Sequence, residues 1–344
     1  MNAAPTLTMA AMAVMAIALS WLIGRWSLSW GVNDAPDEAR KKQSQPIPRL
    51  GGVSIFLGAV LALMIANLVG LFSFTLPADI QPWGLIAGLC GTLFLIGLWD
   101  DIWGANTKLK LIAMLCACSS VAWLGLSPEA LTSPFGSIKA TSILAIGSTL
   151  WMLVFINAAN FMDGSDGLAV GCLAVMFSGL MLAASNQGDF TLTPLWFALF
   201  GALAGFLIHN LRGKLYVGDA GALGLGALFA GLGLASGLEV WTIGTLALPF
   251  LIDVLLTLIW RAKRGRSWLQ AHRDHTYQKL IDRGWSPFET AFLYWALCIG
   301  CAIAAIIAAK AGGAAPFTAF FVLLVAGSSL WLGARRNKQA NEAL

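Results

Sequence analysis

At 344 residues, with 58% hydrophobic and only 11% charged side chains, a net charge of +4 and a mean hydropathy of +0.77, the chain carries too little charge to cover a soluble helical protein. No basic stretch is both long and separate from the apolar runs, which argues against nucleic-acid binding. The six cysteines (90, 116, 118, 172, 298 and 301) all sit in apolar sequence with no His beside them, and read as packing residues rather than metal ligands.

A membrane-spanning helix needs about 20 mostly apolar residues. Eleven runs meet that pattern: 7–24, 53–72, 82–99, 109–126, 141–157, 167–184, 194–210, 220–237, 239–260, 286–309 and 316–333. The first is preceded by no Lys or Arg, so it reads as a retained span and not a signal peptide. The expected fold is therefore an all-α, polytopic integral membrane protein. Residues 1–344 would form one integral membrane domain, in which 261–287 is a cytoplasmic loop with an interfacial helix. Of the 21 Lys and Arg, 19 fall in one set of connecting segments, and only Lys139 and Lys310 in the other. Cytoplasmic loops collect Lys and Arg. With eleven spans this puts the N-terminus outside and the C-terminus in the cytoplasm.

Taken in chain order, the segments on the cationic side hold the polar residues. The first, Gly31 to Gly52, carries Arg40, Lys41, Lys42 and Arg49 among prolines and glycines. It suits an anchor on anionic headgroups or a cationic floor for a phosphate. The second places Asp100-Asp101 before Lys108 and Lys110. Adjacent carboxylates repel unless a cation neutralises them, and Mg²⁺ commonly uses one or two carboxylates plus substrate phosphates; a solvated pair at a helix end is the plainer reading. In the third, Asn157, Asn160, Asp163 and Asp166 recur every three residues and would share one side of a tight helical turn. As a mere cap of the next span, Asp166 would explain one of the four.

The fourth runs from Asn210 through Arg212, Lys214 and Tyr216 to Asp219, between Gly218 and Gly221. Asp219 fits an ion site or a helix-terminal acid, and the Gly/Ala run 218–237 fits close helix packing. The fifth, Arg261 to Pro287, holds two of the three histidines, His272 and His275, around Arg273 and Asp274. Trp268, Leu269, Tyr277 and Leu280 suggest an amphipathic helix lying at the interface. Asp253 alone lies well inside a span, ~12 Å from its end at 1.5 Å per residue; a functional and a buried structural role weigh equally.

The order of these motifs resembles the polyprenyl-phosphate N-acetylhexosamine-1-phosphate transferases. The likeness runs from Asp34 to about Leu280. Its carriers are Asp34-x-Pro36 with Pro46-x-Pro48-x-x-Gly51-Gly52, Asp100-Asp101, Asn160-Phe-Met-Asp163-Gly-Ser-Asp166-Gly, Tyr216-Val-Gly-Asp219-Ala-Gly and Arg273-x-His275. It implies transfer of a sugar 1-phosphate from a UDP-N-acetylhexosamine to undecaprenyl phosphate, with release of UMP and a requirement for Mg²⁺, for which Mn²⁺ can substitute. On the same basis Asp219 is the main metal ligand. Asp100 and Asp101 support the metal and the lipid phosphate, while Asn160, Asp163 and Asp166 belong to the nucleotide-sugar pocket. Tyr216 stacks on uracil, and Arg273 and His275 grip the diphosphate. The resemblance also implies a bacterial inner membrane with the site facing the cytoplasm. From the residues alone, Asn157, which shares the three-residue spacing, and Lys108, Lys110 and His272, which share the cationic side, complete the expected substrate-binding set.

The chain departs from the pattern at Gln43 and Tyr277, where many relatives have His, and at Ala222, usually Ser. The segment from His272 to Gln278 resembles the branch that begins O-antigen units of lipopolysaccharide. The sequence leaves the oligomeric state open, a homodimer included. Two other classes compete: a transporter, whose binding groups belong near the midplane, and a CDP-alcohol transferase, whose carboxylates share one helix.

Overall fold

The computed structural model describes residues 3–34, 45–70, 80–188, 190, 193–267 and 272–341. Arg40, Lys41, Lys42 and Gln43 of the first loop, and Trp268 and Leu269 of the fifth, lie outside these residues.

Among the described residues there are twelve helices: α1 (Ala3–Ser27), α2 (Gly51–Leu68), α3 (Gln81–Trp103), α4 (Thr107–Trp123), α5 (Thr141–Phe161), α6 (Leu168–Asn186), α7 (Thr193–Asn210), α8 (Gly218–Ala235), α9 (Val240–Ala262), α10 (Thr276–Asp282), α11 (Pro287–Ala311) and α12 (Ala315–Asn341). Each of the eleven apolar runs coincides with one long helix, so the fold is all-α and polytopic as expected. Ten of the helices are long and apolar enough to cross a membrane. Of the other two, α10 has seven residues, and α4 has 17, about 25 Å at 1.5 Å per residue, at the short end of what a bilayer needs. Its start is fixed by Asn106, whose side chain accepts from the backbone N–H of Lys108 at 3.0 Å and Leu109 at 3.3 Å. At the start of α11, Ser286 and Glu289 form a capping box ahead of a helix that opens on Pro287.

Two short antiparallel ladders complete the chain: β1 (Asn33–Asp34) with β2 (Ile47–Pro48), and β3 (Leu131–Ser133) with β4 (Gly136–Ile138). The second lies at the opposite end of the helices from β1 and β2, where Trp241 donates to the Thr132 carbonyl at 2.5 Å.

Helix α8 is the axis of the molecule. It packs on α2, α3, α5, α6 and α9, and 83% of its apolar window is buried, against 6% for α12 at the periphery. Without a hydrophobic driving force between helices in lipid, small residues let backbones approach closely. A Cβ on Gly52 of α2 would stand 2.3 Å from the Gly221 nitrogen of α8. Midway along the helix, Phe229 packs against Phe155 of α5 (4.7 Å between centroids) and edge-on to Phe177 of α6 (5.5 Å). That rigid middle leaves the N-terminus of α8 held among helix ends, where the acidic residues gather.

Candidate functional site

Hydropathy ends near residue 99, but α3 continues for another turn. Asp100 and Asp101 are therefore helical, and the helix stops only at Gly104, where φ is +73°. Successive residues on a helix point in different directions, and the two acids do different things. Asp100 accepts from the Ala105 N–H at 2.6 Å with one oxygen and from Lys110 Nζ at 2.5 Å with the other. Asp101 is buried, 2% exposed. Its two oxygens accept the backbone N–H of Asp219 at 3.1 Å and Ala220 at 2.9 Å, so it holds the first turn of α8. Asp219 reaches back to the same ammonium of Lys110 that Asp100 holds. Two carboxylates from different helices thus share one cation.

The approach needs glycine. Gly218 has φ +73°, and a Cβ there would fall 2.7 Å from Asp101 Oδ2 and 2.0 Å from the Arg49 carbonyl oxygen. Arg49 closes the rear of the centre. Its Nη2 donates to the Asp101 carbonyl at 2.5 Å, Nε lies 3.7 Å from Asp101 Oδ1, and Nη1 lies 3.8 Å from Asp34 Oδ1. It is a stitch between the first loop and α3 rather than an open floor.

The three-residue spacing at 157, 160, 163 and 166 straddles a helix end, so the four do not form one stripe. Asn157 and Asn160 are on α5, and Asn157 Nδ2 donates to its own helix at Leu153 O, 2.7 Å away. Asp163 and Asp166 lie in the turn before α6. Burial, then Asp219, Asp101 and the neighbouring Asp166, push the Asp163 carboxyl well above the usual range. Burial raises Asp166 to about 6, and its Oδ1 is buried without a hydrogen-bond partner. Asp166 is not the cap of α6: the N-cap position is Gly167, with no side-chain capping bond, and the Gly167 N–H goes to Asn210 Oδ1 at 2.6 Å.

Asn210 in turn donates to the Leu215 carbonyl at 2.9 Å, which ties this turn to the one before α8. In that second turn Tyr216 is fixed through its backbone to Pro48 (2.8 Å) and Gly51 (2.9 Å). Burial, with Asp166, Asp34 and Asp163 nearby, raises its phenol to about 12.

The histidine segment is framed by Asp253. One oxygen accepts the Thr276 N–H at 2.7 Å; the other accepts Tyr277 N–H at 3.3 Å and Tyr294 Oη at 2.7 Å. Asp253 therefore caps α10, a structural task for the one mid-span acid. Asp274 is paired with Arg261 and lies 3.5 Å from Lys279; burial opposes ionisation, but these cations hold its carboxyl below the usual range. Arg335 of α12 donates to the Asp274 carbonyl and, at 2.9 Å, to Thr257.

Within this frame His275 is 2% exposed, with both ring nitrogens buried and lacking hydrogen-bond partners. His272 stands 4.9 Å away between centroids. Burial, His275 and Arg261 lower its pKa to about 4, which leaves a neutral ring at pH 7. Seven-residue α10 turns Tyr277 inward, 1% exposed. Its hydroxyl donates to Phe161 O at 3.0 Å, and a Cβ on Gly164 would come within 2.1 Å of it. The tyrosine that replaces the expected histidine supports the Asp163–Asp166 turn from below.

Of the residues singled out in the sequence, Asp100, Asp101, Lys110 and Asp219 meet directly, and Asp163 lies in the field of Asp219 and Asp101. Asp166 and Tyr216 adjoin Asp163. His272 and His275 face the Phe161 ring at 6.4 and 5.7 Å, at the edge of the same region. Lys108 is exposed, and Arg273 Nη2 lies 3.2 Å from Asp282. Among the described residues, no three His, Cys, Asp or Glu side chains already converge as a metal cluster. Asn210, Tyr294 and Arg335 were not singled out as site residues. Asn210 and Arg335 stand at the ends of apolar runs, where a polar group must find a partner, and Tyr294 lies within one.

Residues 83–237, from α3 through α8, match the family model described as glycosyl transferase family 4; the carboxylate centre falls inside that match. The chain is 30% identical over 290 residues to the decaprenyl-phosphate N-acetylglucosaminephosphotransferase of Mycolicibacterium smegmatis, covering 73% of this chain and 69% of that protein. It is 28% identical over 303 residues to a phospho-N-acetylmuramoyl-pentapeptide-transferase of Synechococcus, covering 80% and 83%. A third relative, from Bacillus subtilis, is named "Probable undecaprenyl-phosphate N-acetylglucosaminyl 1-phosphate transferase"; it is 24% identical over 317 residues, covering 88% and 85%.

Proposed function

Because the chain belongs to the polyprenyl-phosphate N-acetylhexosamine-1-phosphate transferases of glycosyl transferase family 4, we propose that it moves an N-acetylhexosamine 1-phosphate from a UDP-sugar to undecaprenyl phosphate. UMP is released, and the product is the first lipid-linked intermediate of a cell-surface polysaccharide. The membrane-embedded architecture and the transferase class come with family membership. The UDP donor, the undecaprenyl carrier and the cytoplasmic orientation are the finer reading. The distribution of 19 of 21 cations on the side of the site supports the orientation. The Bacillus relative's name supports the carrier, while the mycobacterial relative's name makes decaprenyl phosphate the comparison to run.

The observation that carries this reading is the shared cation of Asp100 and Asp219. Phosphoryl transfer depends on positioning and charge neutralisation more than on covalent catalysis by the protein. A phosphate monoester has its second pKa near ~6, so the lipid phosphate arrives largely dianionic and a general base gains little. One acceptor oxygen bonds to the β-phosphorus as the bond from that phosphorus to the bridging oxygen breaks, and UMP leaves with that oxygen. Asp101 keeps α8 in place so that Asp219 stays at the focus. Asp166, with an unpartnered buried oxygen, is an acceptor for a donor hydroxyl or N–H, and Tyr216 offers a ring for uracil beside it. His272, neutral at pH 7, and His275 serve as hydrogen-bonding groups toward the diphosphate.

Asp100 and Asp219 fit Mg²⁺. They are hard oxygen donors already gathered around a cationic nitrogen, and Mg²⁺ is commonly held by one or two carboxylates with substrate phosphate completing the set. When bound, the ion would neutralise charge on the diphosphate; Mn²⁺ shares its preference for oxygen donors. The test is UMP release by the purified protein with undecaprenyl or decaprenyl phosphate against a panel of UDP-N-acetylhexosamines, with and without EDTA. UMP formation that EDTA abolishes is expected. No UMP with any pair refutes the donor class, and full activity in EDTA refutes the metal assignment.

A further inference from the structure

Among the described residues, Lys110 is placed unlike any other cation at this end of the molecule. Its ammonium sits between Asp100 and Asp219, which come from α3 and α8, and the side chain is only 15% exposed. Without it two carboxylates would face each other beside Asp101 and Asp163, with no compensating charge between them. Arg49, the other described cation of the centre, is engaged instead by the Asp101 carbonyl. Three features let the ammonium leave without disturbing its surroundings. The Lys110 backbone N–H is fixed to Asn106 O at 2.9 Å, below a flexible four-carbon stem. The second oxygen of Asp100 is tied to Ala105 N–H. Asp219 is anchored through its own N–H to Asp101.

We propose that Lys110 is the resident counter-ion of the metal site. In the substrate-free protein its ammonium takes the place a divalent cation occupies during turnover, and it swings toward phosphate when that cation enters. This rests on Asp100 and Asp219 being the metal-binding pair. Lysine and metal then compete for the same two carboxylates, a relation that a plain phosphate clamp would not show.

The full-length protein in detergent, without substrates, is titrated with Mn²⁺ and the free ion is followed by electron paramagnetic resonance. Lys110→Met is expected to bind Mn²⁺ about tenfold more tightly than the parent. Its melting temperature should fall in EDTA and recover with Mn²⁺, while the parent's barely changes. If Lys110→Met is not recovered folded even when purified in Mn²⁺, Lys110→Gln is measured in the same way. Equal affinity in parent and variant overturns the exchange while leaving the metal pair in place. Mn²⁺ binding that survives Asp219→Asn unchanged, or is absent from the parent and the variants alike, overturns the metal pair itself.

Discussion

Asp253 and Asp274, in the frame around α10, meet backbone N–H groups, a tyrosine hydroxyl, Arg261 and Lys279. Asp100 and Asp219, where α3 meets α8, share a single lysine, and Asp166 beside them keeps an oxygen without a partner. In the first region every carboxylate is partnered, and the buried groups left without a partner are the His275 ring nitrogens, Thr276 Oγ1 and Arg335 Nε. The second has more negative charge than the protein itself compensates. Buried polar networks rigidify when complete, and unmet groups are costly. On the proposed function, the paired carboxylates of the first region hold the site and those of the second wait for a ligand.

The sharpest way to break that division is Asp219→Asn. It is expected to lower UMP release about 10³-fold, the scale seen when an electrostatic stabiliser of a transition state is removed, and to leave the melting temperature nearly unchanged. Activity close to the parent's would move Asp219 into the scaffold.

Asp253→Asn should do the reverse. Loss of charge at an acceptor of two backbone N–H groups and a tyrosine is expected to cost about 2 kcal/mol of stability, read by thermal or denaturant unfolding. Activity should fall only through displacement of His275, as a rise in KM. A variant as stable as the parent would show that Asp253 is not the keystone of the frame.

The smallest effect, and the most diagnostic, is in pH. The Asp166 carboxyl is raised to about 6 from an ordinary 3.8, so the native state binds its proton more tightly than the unfolded state does. Its contribution to stability is present below about 4 and disappears as pH rises to about 6. Asp166→Asn should therefore melt about 2 °C higher than the parent above pH 6, while losing activity, and match it near pH 4. His272 has the opposite sign. Its pKa is lowered to about 4 from 6.5, so it weakens the fold as pH falls from 6.5 toward 4. Differential scanning across pH 4–8 reads the effect at Asp166, and a gain for Asp166→Asn that persists at pH 4 would contradict the assignment.

The spans were legible because apolar length alone defines them, and even the Gly/Ala packing of α8 showed in its composition. Helix ends were less so. Hydropathy marks where a chain stops preferring lipid, whereas backbone hydrogen bonding runs on, which is why Asp100, Asp101 and Asn160 are helical and not in loops. Residue types pointed to Asp219 and Lys110 as neighbours of a phosphate. They gave no hint that Asp101 would use both oxygens on α8, or that Arg49 would turn its guanidinium inward to a carbonyl. Such pairings depend on which helix ends meet in space. Tyr277 makes the same point: read against the family's motif it was a lost histidine, and in three dimensions it is the support under the Asp163–Asp166 turn.

The seat of α8 on Asp101 has one further consequence. The amino end of a helix ordinarily welcomes anions, since its free N–H groups and dipole point outward. Here the Asp219 and Ala220 donors are already claimed by a carboxylate. On the proposed function, an arriving pyrophosphate would meet a blunted positive pole in the backbone and would lean on side chains and dissolved ions for its welcome. The ionic composition of the surrounding water would then be a working part of the catalyst.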